Sequence, residues 1–147
     1  MRNENFNWII LGYHADNGNN LEKWDKNNAV MNDLNDAYKW PKLLYIDVNT
    51  DVEHKKFKEW EATLENRKWK IYKSNNWTRR GKGKQKNTNI DVILTYDIPP
   101  DIIKVRVGEQ IEKISDHKPI VVELQDKRFT MENTSKKDEV IDRGLLR

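Results

Sequence analysis

The chain has 147 residues, no cysteine and a formal net charge of +3. That length supports one domain with one core, and six tryptophans within a 36% hydrophobic composition supply bulk to fill it. The lack of cysteine excludes disulfides, thiolate zinc sites and thiol nucleophiles together. No apolar run is long enough to span a bilayer, and the Arg2-Asn3-Glu4-Asn5 start does not resemble a signal peptide, so an intracellular protein, cytoplasmic or nuclear, is expected.

In chain order, Trp8-Ile9-Ile10-Leu11-Gly12-Tyr13-His14 predicts a strand over about 7–13 that ends on a histidine. The loop Asp16-Asn17-Gly18-Asn19-Asn20 offers asparagines that can cap a following helix. Residues 21–38 read as that helix, with Leu21, Trp24, Met31, Leu34 and Tyr38 on one face and Val30 and Ala37 widening it; Trp40-Pro41 stops it. A strand at 43–48 precedes a second helix at about 52–66, with Asp51 as its cap and Phe57, Trp60 and Leu64 on its buried face. Strands near 68–73, 90–96, 102–107 and 119–124 follow, punctuated by Ile98-Pro99-Pro100 and Gly108-Glu109. His54 is expected to face solvent, and Asp16 to be an ordinary loop residue.

These elements predict an α/β (α+β) domain over 5–126, with a mixed β-sheet and helices on one face. In 43–48, Leu43 and Tyr45 point one way while Leu44, Ile46 and Val48 point the other, so both sheet faces are apolar. The face away from the helices is expected to seek a partner, by self-association or by another half of the fold. Residues 127–147 read as a charged tail with a short helix near 137–146 and solvated acids at Glu132, Asp138, Glu139 and Asp142.

The segment Ser115-Asp116-His117-Lys118-Pro119 sets a carboxylate beside an imidazole just before an apolar strand. The pair suits metal-assisted hydrolysis, since Asp can bind a hard cation or orient the imidazole and His can move a proton. A turn leading into an edge strand would explain the same residues. Company favours chemistry: Asp91 opens the strand after Asn89-Ile90, Asp47 and Asn49 end another, and His14 ends the first. Carboxylates within apolar strands are costly to bury unpaired, so four polar strand ends imply one shared site.

Between Arg79 and Lys86 lie Arg79, Arg80, Lys82, Lys84 and Lys86 with no acid, and Trp77 stands beside them. A nucleic-acid backbone, DNA or RNA, would be held by such a loop and a base stacked on Trp77; a solvated hairpin is the alternative.

In order and spacing these segments resemble the C-terminal half of the endonuclease/exonuclease/phosphatase superfamily, the fold of pancreatic deoxyribonuclease. Its Ser-Asp-His signature matches Ser115, Asp116 and His117, and its Ile-Asp-Tyr-Ile strand matches Ile90, Asp91, Val92 and Ile93. Its Gly-Asp-Phe-Asn motif falls on Ile46, Asp47, Val48 and Asn49, its His-Leu strand end on His14-Ala15, and Trp77-Thr78-Arg79-Arg80 is similar to the loop preceding the Asp91 strand. The resemblance covers about residues 7–125. It implies half of a four-layer α/β-sandwich and magnesium- or manganese-dependent hydrolysis of a phosphoester, with Asp47 and Asp116 at the metal. It further implies that Asp47 and Asn49 position water or phosphate, Asp91 orients the site or holds a second ion, and His117 and His14 contact the phosphoryl group. The family's metal-binding Glu and a further active-site Asn belong to an N-terminal half expected to be absent from this chain. Three function classes stand open: a nuclease, a noncatalytic nucleic-acid-binding remnant, and a phosphatase of small phosphoesters or lipid headgroups.

Overall fold

Short continuous apolar runs become the central strands here, buried on both faces, and apolar residues recurring every third or fourth position become helices. The structure, a computed structural model, describes residues 7–125. The expected tail at 127–147, with its helix near 137–146, lies outside the described residues. Strands β1 (Ile9–His14) and β2 (Lys42–Asp47) are joined by helix α1 (Leu21–Ala37), and helix α2 (Lys55–Leu64) leads through a 3-10 turn to β3 (Trp69–Tyr72). Strands β4 (Asp91–Tyr96), β5 (Ile103–Val107) and β6 (Ile120–Leu124) complete the described chain. Among the described residues, no helix is long and apolar enough to cross a membrane.

The main sheet has the order β1-β2-β4-β3, with β1 parallel to β2 and β4 antiparallel to both of its neighbours. Both helices cover one face. Trp24 and Met31 of α1 and Phe57, Trp60 and Leu64 of α2 pack on Leu44, Ile46, Val92 and Leu94. Ile46, standing where the resembled motif has Gly, is fully buried in this core.

The opposite face departs from expectation. Strands β5 and β6 form a separate two-stranded sheet rather than extending the first, and it lies over Leu43, Tyr45 and Ile93 to make a second core with Ile103, Val105, Ile120, Val122 and Leu124. The chain leaves the main sheet at Asp97, whose φ is +60°, and Pro99-Pro100 cannot donate ladder hydrogen bonds. The face expected to be bare is therefore covered in large part by this chain; Ile10, 70% exposed on edge strand β1, marks where cover ends.

Details of both helices also differ. Asn20 caps α1 as expected, its Oδ1 accepting from Lys23 N at 3.0 Å, but Leu21 is exposed and Lys23 and Asn27 share the buried stripe with Trp24 and Met31. Tyr38 lies beyond the helix and is exposed. Helix α2 begins at Lys55, capped by His54, whose Nδ1 accepts from Lys56 N at 3.0 Å. Asp51 instead closes the turn ahead of it, accepting from Glu53 N at 2.9 Å and from Asn89 N at 3.0 Å.

Closure of the second core can be tested at Ile93, which is 2% exposed. Ile93→Ala is expected to cost about 2–5 kcal/mol in urea unfolding, as for a filled core site. A loss below about 1 kcal/mol would show that the two-stranded sheet does not seal this face.

Candidate active site

Strand register decides which polar residues meet. His14 pairs with Asp47 across β1 and β2, and Asp47 pairs with Asp91 across β2 and β4, so the three form one row across the end of the sheet. Side chains in register leave a sheet on the same face. Here that is the face of Leu43, Tyr45 and Ile93, beneath β5 and β6. The loop before β6 delivers His117 onto the row.

The resulting contacts are short. His117 Nδ1 lies 2.8 Å from Asp91 Oδ2, while its Nε2 lies 3.8 Å from Asp47 Oδ2 and 3.8 Å from Asp116 Oδ1. His14 Nε2 is 3.1 Å from Asp47 Oδ2. With Nδ1 as the donor to Asp91, Nε2 is left facing the other two carboxylates, the side open to a ligand. All six expected residues thus fall in one neighbourhood, but in different roles. Asn49 holds φ +53° and donates its backbone N–H to Asp47 Oδ1 at 3.0 Å, while its side-chain amide donates to Ala15 O at 2.7 Å. It fixes Asp47 and ties the ends of β1 and β2 together. Asp116 is drawn aside by Arg79, whose Nε donates to Asp116 Oδ2 at 3.2 Å and holds that carboxyl below its ordinary range.

Three residues outside the expected set build the site. The Tyr45 hydroxyl donates to Asp91 Oδ1, so Asp91 serves Tyr45 with one oxygen and His117 with the other. Burial first, then the bond to Asp91, pushes the Tyr45 pKa up and keeps the hydroxyl a donor. Thr78, fully buried, accepts from the N–H groups of Ile90 and Asp91 at 2.9 and 3.2 Å, and its carbonyl accepts from Lys118 N at 2.6 Å. With Arg80 N donating to Asp116 O at 2.8 Å, residues 78–80 strap the Asp116-His117 loop to the start of β4. Lys23, 1% exposed, donates to Gly18 O at 2.8 Å and Thr50 Oγ1 at 2.5 Å, pinning the loops that follow β1 and β2. Desolvation lowers its pKa to about 8 against the pull of Asp47 and Asp16. Thr78 was visible only as part of a motif, and a lysine on a helix stripe or a tyrosine in a strand carries no local signal of such a role.

One donor atom each from Asp47, Asp91 and His117 lies within 4.8 Å of the others, a group able to hold a metal ion. It shares Asp47 with the expected pair and has Asp91 and His117 where that pair had Asp116. The donor set fits a hard divalent cation. So does the environment of Asp47, whose pKa burial pushes up, with Asp91 adding to the rise, because a cation relieves two adjoining buried carboxylates. A cleft of about 560 Å³ opens beside Asp91, lined also by Tyr72, Ser74, Asn75, Asn76 and Arg106.

The basic loop is divided. Arg79 is bonded to Asp116, and Arg80 Nη1 lies 2.6 Å from Glu112 Oε1, whereas Lys82, Lys84 and Lys86 are exposed. Trp77 is half-buried with Lys118 Nζ 3.6 Å from its ring centroid, so a cation already occupies the face expected to receive a base. Gly81 is required by close approach: a Cβ there would lie 2.2 Å from Gln85 O.

Asp47 makes a test of the electrostatics. Its raised pKa means that the fold favours the neutral carboxyl, a preference fully present below the ordinary carboxylate range and lost as pH rises through the shifted value. Asp47→Asn is therefore expected to raise the urea midpoint at pH 7 in EDTA and to leave it unchanged near pH 3. A less stable variant at pH 7 would mean that the pairing with His14 outweighs desolvation.

No protein-family model matches the chain, and no curated protein matches it. Solved structures similar to the chain include the following two. One is a mannosyl-6-phosphatase from Bacteroides thetaiotaomicron, 18% identical, covering 77% of this chain and 49% of its own, with a TM-score of 0.49. The other is an endonuclease/exonuclease/phosphatase family protein from the same organism, 19% identical, covering 76% of this chain and 47% of its own, also at 0.49. The chain spans about half the length of each.

Proposed function

We propose that the protein is a metal-dependent phosphoester hydrolase whose substrate is a nucleic-acid phosphodiester. The observation that carries this reading is the placement of Asp47, Asp91 and His117 within bonding reach of one another, with His14 on Asp47 and Tyr45 on Asp91. Asp47 and Asp91 would hold magnesium or manganese, which would supply Lewis-acid stabilisation of charge on the phosphoryl oxygens. The chain's own residues do the rest. Asp91 accepts from Tyr45 with one oxygen and holds His117 with the other, and so orients the imidazole. His117 Nε2 is aimed at the space between Asp47 and Asp116, where it hydrogen-bonds a phosphoryl oxygen. His14, 3.1 Å from Asp47, steadies the charge there or contacts a second phosphate oxygen.

Support for a polymeric substrate comes from Lys82, Lys84 and Lys86, three exposed cations on a loop anchored beside Asp116. A phosphatase of a small phosphoester would not need them. The Glu that the resemblance assigns to an N-terminal half has no counterpart in the Asp47, Asp91 and His117 group, so weak cleavage is expected of the 147-residue chain alone and stronger cleavage when a homologous N-terminal half is supplied in trans.

The test is magnesium-dependent nicking of plasmid DNA by the chain, alone and with that half. His117→Ala is expected to lower the rate by about 10²-fold or more. An unchanged rate would remove His117 from the reaction. Separately, Gln at Lys82, Lys84 and Lys86 should weaken DNA binding and reduce its salt dependence by up to about three counterions. Equal slopes in both proteins would make the loop a solvated turn.

A further inference from the structure

The other end of the sheet carries a second polar site. Lys42, Tyr96 and Trp69 form the register row opposite to that of His14, Asp47 and Asp91, five residues along β2 and therefore about 17 Å away. There a pocket of about 510 Å³ is lined by Asn35, Tyr38, Lys39, Lys42, Lys68, Tyr96 and the carboxylate residue Asp97.

Lys42 is the unusual member. It is 1% exposed, its Nζ donates to Trp40 O at 2.9 Å and lies 5.0 Å from the centroid of the Tyr96 ring, yet among the described residues it has no carboxylate within ion-pair distance. Burial lowers its pKa, the Asp97 carboxylate opposing that and the Lys39 ammonium adding to it. Neither Lys39 nor Lys68 forms an ion pair among the described residues. Three cations thus converge on one cavity against a single carboxylate. A desolvated ammonium without an anion is costly, and a bound anion removes that cost. Asn35, also on the lining, has its buried Oδ1 without a hydrogen-bond partner. Tyr38, stacked on Trp40 with centroids 5.7 Å apart, gives the pocket an aromatic wall.

We propose that this pocket binds the phosphate group of a small phosphorylated ligand through Lys39, Lys42 and Lys68, with Tyr38 alongside it. Phosphate is the anion that matches three separated cations, since each can take a different oxygen. The site is independent of the hydrolytic reading: it lies at the far end of the sheet and shares no residue with it.

The experiment is titration of the full chain in EDTA with inorganic phosphate, adenosine 5′-monophosphate and adenosine, read by backbone amide NMR. Saturable shifts are expected at Lys39, Lys42, Lys68 and Asp97 with phosphate and with the monophosphate, and none with adenosine. Equal affinity for the first two assigns the site to free phosphate, and tighter binding of the monophosphate assigns it to a nucleotide stacked on Tyr38; both support the proposal. Lys68→Gln, an exposed change that spares the core, should weaken binding by about tenfold, and Lys42→Met should do so at least as strongly. Absence of saturable shifts at these amides overturns the proposal. Shifts confined to Asp91, Asp116 and His117, adenosine binding as well as its monophosphate, or undiminished binding in Lys68→Gln also overturn it.

Discussion

The antiparallel pairing of β2 with β4 sets Asp47 directly opposite Asp91, both nearly buried, and much of the structure answers that juxtaposition. Two adjoining carboxylates beneath a second sheet cannot both remain charged without donors. His117 and Tyr45 supply them to Asp91, and His14 and the Asn49 backbone supply them to Asp47. The donors that make the pair tolerable are the groups on which the proposed hydrolysis relies, so that reading draws stability and reactivity from one set of contacts.

Holding His117 over the row requires architecture on both faces of the main sheet. The helix-side core fixes β2 and β4 through Leu44, Ile46, Val92 and Leu94. On the other side, β5 and β6 bring the Asp116-His117 loop across, and Thr78 binds that loop to the first residues of β4. A change at Thr78 touches no substrate but would release both the strand start and the loop, the action of a positioning residue. Lys23 plays a similar part beneath the ends of β1 and β2, where Asn49 also links the two chain segments.

The two ends of the sheet differ in charge. One gathers carboxylates and imidazoles, whereas the other gathers Lys39, Lys42 and Lys68. Strand direction explains how both arise from short segments: β2 begins with Lys42 and ends with Asp47, while β4, running oppositely, begins with Asp91 and ends near Asp97. Opposite polarity along β2 is thus projected onto opposite edges of the fold.

Local sequence determined the elements and much of the chemistry. Strand positions followed from short apolar runs, the split of Leu43 and Tyr45 from Leu44, Ile46 and Val48 gave two apolar faces, and Asn20 announced the first helix. Ser115-Asp116-His117 and the polar strand ends identified residues that do converge, because side-chain type and position at a strand end are properties of a short window. Register and long-range docking were decided only by the tertiary structure. No local pattern states that β5 and β6 leave the main sheet to cover it, that Asp91 faces Asp47, or that Arg79 takes Asp116 while Tyr45 takes Asp91. Those outcomes depend on which distant surfaces bury each other, a choice made by the whole chain's packing and by the need to give every buried polar atom a partner.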